Sequence, residues 1–292
     1  MLHRIAIALL LFAAALTAAP CAVAARNLFA ATTDGPEGAP GKLFKVDPTN
    51  GQSRLIGFIR LDDETPVTID GLAMHPVTRA LYGITSRNSK PPCLVIIDRH
   101  TARAKRIGPL GVRGTDIHFG PDGTLYVWIL DTNQLGKIDL KTGAATPVSR
   151  TDHHLGRMTG GLAVNSRGVA FVPAASRHDL IEEVDPVTGD LVGAMALVNA
   201  SVLNAIQALT FTPSGSLLAV NQSSDGSAHR ELVSIDIENG NVTRLGSLPD
   251  GVDAIAFDES GRTGSKMGLV VIFVTMLVGL HIAGAIRWRN TR

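Results

Sequence analysis

The chain has 292 residues and a formal net charge of +1, so it lacks the basic excess of a nucleic-acid-binding surface. Its two cysteines, Cys21 and Cys93, exclude a disulfide-stapled scaffold and leave stability to a hydrophobic core. The length between its two apolar ends is ample for one.

Residues 1–25 read as a secretory signal peptide. Arg4 gives a short basic start, Ile5 to Leu16 an apolar run, and Ala22-Val23-Ala24 or Val23-Ala24-Ala25 a small-residue cleavage site. The run is too short for an ordinary membrane span. The "AAP" before Cys21 departs from a lipoprotein signal. Removal of this peptide leaves Cys93 as the sole thiol, expected to be buried or in an intermolecular bridge.

From residue 26 to 258 two phrases alternate. "KVDPTNGQSRLIG" (45–57) returns as "KIDLKTGAATPVS" (137–149), "EVDPVTGDLVGAM" (183–195) and "SIDIENGNVTRLG" (234–246), and Asp98 marks one further copy. Before each later copy stands a second phrase: "DGLAMHPVTRALYGITS" (70–86), "TDIHFGPDGTLYVWIL" (115–130), "GGLAVNSRGVAFVPAA" (160–175) and "QALTFTPSGSLLAVNQ" (207–222). A truncated fifth, "DAIAFDESG", begins at Asp253. Leu72, Ile117, Leu162, Leu209 and Ile255 fall 45, 45, 47 and 46 residues apart. A fixed period of this length signals a repeat architecture.

Each phrase reads as a β-hairpin. In the first, Asp opens a type I turn, Pro48 or Pro186 sets φ at the next position in two copies, and Gly51, Gly143, Gly189 or Gly240 takes the left-handed conformation; Ala102 breaks the rule. Two hairpins per period give four antiparallel strands, the content of one β-propeller blade. The fold class is therefore all-β, a five-bladed propeller. "NLFAATT" (27–33) matches the second strand of a blade and 253–258 a first strand, so pairing them closes the ring.

The hairpin after a "GLAFxPxGxLY"-like phrase, as in "FGPDGTLYVWIL" followed by "KIDLKTG", resembles exported bacterial β-propellers of the broad lactonase-like and quinoprotein-like superfamily, those with YVTN-type repeats. The resemblance covers almost all of 27–258 and rests on turn and core residues. It implies the propeller fold, and it raises metal-dependent lactonase or phosphoesterase chemistry at a channel mouth as one activity to test.

Strands A to D of each blade run from the channel outward. The A–B and C–D turns are short and share one face; the longer D–A and B–C connections share the other, where function tends to reside. Residues at the entry to strand A ring the channel: Asp253, Asp70, Thr115 with Asp116, Gly160 and Gln207. Asp70, Asp116 and Asp253 are candidate calcium ligands that would serve a hydrolase; the alternative is that each caps neighbouring backbone. On the loop-rich face, Asp62, Asp63 and Glu64 of "RLDDETPVT" and Arg150, His153, His154 and Arg157 of "RTDHHLGR" form a candidate binding surface, though the latter also fits a solvated polar loop. Sequons stand at Asn199, Asn221 and Asn241.

Residues 259–266 read as a linker and 267–286 as a transmembrane helix, about 20 uncharged residues that cross a hydrocarbon core. Arg287, Trp288, Arg289 and Arg292 follow in a basic tail, 287–292, placed in the cytoplasm by the positive-inside rule. The layout also resembles cleaved C-terminal sorting signals, without their recognition motifs. The expectation is an extracytoplasmic propeller on a single-pass anchor. It would bind a protein, peptide or glycan as a non-catalytic module, with its short-turn face toward the membrane.

Overall fold

The computed structural model describes residues 27–258 except 34–38, 87–88, 149–159, 175–176, 178 and 224–227. The expected signal peptide, the linker, the membrane helix and the basic tail lie outside the described residues. Among the described residues no helix is long and apolar enough to cross a membrane.

Alternation of apolar and polar residues, with turn residues at fixed offsets, produces strands throughout. The chain opens with β1 (Asn27–Thr32), β2 (Lys42–Val46), β3 (Ser53–Phe58) and a two-residue β4 (Arg60–Leu61). Blade 2 is β5 (Ile69–Met74), β6 (Leu81–Thr85), β7 (Cys93–Ile97) and β8 (Arg103–Pro109), with β4 added parallel along β8. Blade 3 is β9 (Gly114–Phe119), β10 (Leu125–Ile129), β11 (Gln134–Ile138) and β12 (Ala145–Pro147). Blade 4 is β13 (Ala163–Val164), β14 (Ala170–Pro173), β15 (Leu180–Val184) and β16 (Leu191–Ala196). After a 3-10 turn at Ala200–Val202, blade 5 is β17 (Ala205–Phe211), β18 (Leu217–Gln222), β19 (Arg230–Ile235) and β20 (Val242–Leu248). The last strand, β21 (Val252–Asp258), pairs antiparallel with β1, Asn27 opposite Asp258, and completes blade 1 in the order β21-β1-β2-β3. The five blades and the closure expected from the repeat are both present.

Five apolar clusters fill the five spaces between blades. Phe29 and Leu43 of blade 1 meet Leu72 and Val95 of blade 2, and Phe171 of blade 4 meets Phe211 of blade 5 edge-on at 5.3 Å between ring centroids. The core is thus a ring of interfaces around an axis, which is what lets a blade that is marginal alone stand in company.

The recurring Asp does one job five times. Asp47, Asp98, Asp139, Asp185 and Asp236 each accept, through Oδ1, the backbone N–H two residues on, at 2.7–2.9 Å. Each backbone carbonyl takes the N–H four residues on, from Gly51, Ala102, Gly143, Gly189 or Gly240. Those glycines have φ between 72° and 79°, and Ala102 adopts the same left-handed turn at 62°.

The glycines carry a second role. A Cβ on Gly143 would lie 2.6 Å from the Gly108 carbonyl oxygen of the preceding blade, and one on Gly246 would lie 1.9 Å from that of Asn50. The C–D turn of one blade is seated against the outer strand of its neighbour. Both glycines of the repeated phrase are therefore docking positions as well as turn positions.

Candidate binding face and the hub

At the hub, the first strands of successive blades lie close together. A Cβ on Gly71 would sit 2.8 Å from Asp116 Cα, so small residues are required there. Blade 3 departs from this pattern with Asp116-Ile117-His118 where blade 4 has Gly161-Leu162-Ala163. The departure fits the short first strand of blade 4, only two residues long, whose flanking backbone donors need acceptors.

Asp116 is completely buried and supplies those acceptors. Its Oδ2 takes the N–H of Leu162 at 2.9 Å and of Leu209 at 3.3 Å, and its Oδ1 takes that of Ile117 at 2.8 Å. One carboxylate therefore ties together blades 3, 4 and 5. Burial raises its pKa well above the ordinary carboxylate value; the three donors pull the other way, and the nearby Asp70 adds a smaller push upward.

Two residues on, His118 repeats the contact, with Nδ1 3.2 Å from Val164 N and 2.8 Å from Phe119 O. A single proton decides between them. Unprotonated Nδ1 accepts from Val164; protonated, it donates to Phe119. Burial holds the imidazole at about 4, well below its ordinary value, so the ring is neutral at pH 7.

Asp70 is buried in β5, and Asp253 in β21 is engaged by the equally buried Arg230 of β19 at 2.8 Å. That ion pair joins blade 5 to blade 1. Two of the three candidate calcium ligands have other partners. The Asp116 oxygens already receive N–H donors, and a guanidinium stands against Asp253, where a cation would be repelled. Among the described residues no group of three His, Cys, Asp or Glu could hold a metal. Asp116 does cap backbone, beside itself at Ile117 and across the hub at Leu162 and Leu209.

The acidic loop is also rearranged relative to the expectation. Residues 60–66 fold back on themselves, with Leu61 N donating to Thr65 O at 2.9 Å and Arg60 bridged to Pro66. Asp62 lines an open hollow with Arg79, Arg99 and His100, which belong to short turns, so this part of the loop leans toward the short-turn side. Asp63 caps Thr65 N at 3.0 Å, and hydrogen bonds from Thr65 hold its carboxyl below the ordinary value. Glu64 pairs with Arg103. Their carboxylates serve local structure. Arg150, His153, His154 and Arg157 lie outside the described residues.

What does occupy the loop-rich face is a set of exposed ion pairs. Arg113 in a D–A connection meets Asp131 in a B–C connection, Nε to Oδ1 at 2.6 Å. His229 meets Asp250 at 2.7 Å between two other connections, and Arg177 meets Asp179 at 2.9 Å. Such surface pairs add little stability, but they fix loop conformations. No sequence signal exists for the first two pairings, since their partners come from different loops of unrelated length.

On the opposite side, Asp258 at the end of β21 is buried and accepts from Arg99 at 2.9 Å, with Arg79 at 3.8 Å. The closing strand thus ends among short turns, as the strand order requires. Cys93 is buried and free, its thiol pKa pushed up by burial, which removes it from intermolecular bridging in the folded state.

No protein-family model matches the chain, and sequence comparison with curated proteins finds no match. Likeness is found among solved structures. A chain of a nidogen/laminin complex aligns with a TM-score of 0.52 and 13% identity, over 80% of this chain and 99% of that one. A Bacteroides caccae protein of unknown function aligns with a TM-score of 0.42 and 13% identity, over 80% of this chain and 100% of that one. At such identity the first likeness speaks to the fold: this is a β-propeller.

Proposed function

We propose that the chain is an exported, membrane-tethered propeller that works as a binding or scaffolding module, engaging a protein, peptide or glycan through its loop-rich face. The observation that carries this reading is the contrast between hub and loops. At the hub, Asp116 is engaged by backbone donors and Asp253 by Arg230, whereas the loop-rich face presents exposed polar groups already held in place by cross-loop pairs. A preordered surface loses less entropy on binding. A propeller also occurs in the nidogen/laminin complex, an assembly of proteins. Export and tethering rest on the signal-like and anchor-like ends of the sequence.

The test places a photo-crosslinking amino acid in the full chain in cells, at Arg113 or Asp250 on the loop-rich face and at Lys141 or Ser214 on the short-turn face. Crosslinks to a second macromolecule from the first pair and none from the second are expected. The reverse pattern would overturn the choice of face, and silence at all four positions would overturn the reading itself.

A further inference from the structure

Every blade of an open-edged propeller exposes the backbone of its outermost strand, and such edges are ordinarily blunted by charge, proline, shortness or a cover. Four of the five edges follow that rule. β8 carries Arg103, Lys105 and Arg106 and is covered by β4; β20 carries Arg244; β3 carries Arg54; and β12 is three residues long and ends at Pro147. The edge of blade 4 does not. β16 is six residues, "LVGAMA", without charge or proline, and in the strand order of its sheet it has β15 on one side only.

The same stretch concentrates apolar exposure. Of the eight large hydrophobic residues exposed in the described chain, five fall between 187 and 202: Val187, Leu191, Val192, Val198 and Val202, at 43–74% exposure. From Leu191 to Asn204 no residue is charged. The C–D turn of blade 5 meets this edge only at its end, at Ala196; a strand that otherwise has no strand on its outer side among the described residues, and is uncharged and apolar, is built to be paired.

We infer that β16 is a self-association edge, pairing antiparallel with β16 of a second copy about a two-fold axis. Charge selects this occupant. Antiparallel self-pairing sets a strand against itself, so any charge on it meets its own sign; on β8 or β20 that would be arginine or lysine against the same. On β16 nothing charged meets. Glu182 and Glu183 lie one strand further in. At about 4.8 Å per strand step they stay roughly 14 Å from their counterparts, beyond the screening length of about 10 Å at ordinary salt. Each copy spends its one open edge, so the assembly stops at two rather than growing into a fibre.

The experiment is the native mass of the purified full chain by light scattering over a concentration series, for the natural sequence and for Val192→Lys, Ala194→Lys and, as a control on another edge, Leu55→Lys. All three positions are exposed, so unchanged circular dichroism and melting are expected for each. The natural sequence and Leu55→Lys are expected at twice the single-chain mass. The two β16 variants are expected to be weakened in dimerisation by more than about tenfold, since each substitution appears twice across the seam. In Ala194→Cys an oxidant should yield a covalent dimer, with buried Cys93 silent. A chain that stays single at the highest concentration it tolerates, or a dimer indifferent to both β16 lysines, would overturn the inference.

Discussion

Between blades 1 and 2 the described residues bury Phe29, Leu43, Ile59, Leu72, Val95 and their neighbours in one apolar cluster, while between blades 3 and 4 a smaller cluster around Tyr126, Trp128 and Val172 sits beside two polar side chains, Asp116 and His118. The first interface is held by removal of apolar surface from water, a term with little dependence on protonation. The second adds acceptors where a two-residue strand leaves N–H groups without a strand partner. A repeat protein can therefore change the physics of one joint while keeping its period. The polar joint should be as costly to break as the apolar one, and its strength should depend on pH.

The largest effects come from truncation. Phe29→Ala should cost about 3–5 kcal/mol of unfolding free energy through lost burial and a residual cavity. Asp116→Ala leaves the N–H groups of Leu162, Leu209 and Ile117 without that acceptor and should cost about 3 kcal/mol or more. Urea unfolding of both variants checks the pair; an Asp116→Ala loss well under 1 kcal/mol would show that the carboxylate is not what joins the three blades.

The pH response is smaller and carries a sign. Asp116 has a folded pKa above its unfolded value of 3.8, so its contribution to stability falls as pH rises from about that value through the folded pKa. His118 moves from 6.5 to about 4, so the folded chain binds fewer protons there, and its contribution rises with pH across that window. The two slopes oppose one another in the natural protein. Asp116→Asn should unmask the rising slope between pH 4 and 6.5, and His118→Asn the falling one, in denaturation midpoints measured across that range. Equal slopes in both variants would remove the joint from the account.

Smallest of all is Ala102→Gly. Relief of a left-handed alanine favours glycine by about 1 kcal/mol, and loss of one buried methyl costs about 0.8 kcal/mol, so the melting temperature should barely move. A drop of several degrees would mean that Ala102 matters to the seat between blades 1 and 2 beyond its turn.

Much of this was legible beforehand because a propeller repeats its punctuation. The Asp–Gly hairpins, the period and the pairing of 27–33 with 253–258 all follow from local turn chemistry applied five times. The hub was less legible. That Asp116 reaches Leu162 and Leu209 depends on side chains meeting across repeats, and three aspartates near the entries to first strands look alike in sequence whether they gather on a cation or face Arg230 and backbone donors. One signal was available: Asp116 and His118 are the large polar exceptions at positions that are otherwise small. The lean of Asp62 toward the short-turn side had none, because it follows from β4 lying along β8.

The pairing of β1 with β21 also sets an order of events. The two strands stand at opposite ends of the described chain, so a polypeptide emerging from its N-terminal side can stack four blades before the partner of Asn27 exists. Until then Leu28 and Ala30 of β1, and the faces that Val252, Ile255 and Phe257 will cover, lie open to water. The ring is thus a structure whose last-made strand completes its first-made blade, and the interval between the two is when an unfinished chain is most exposed to chaperones, proteases and its own unpaired edges.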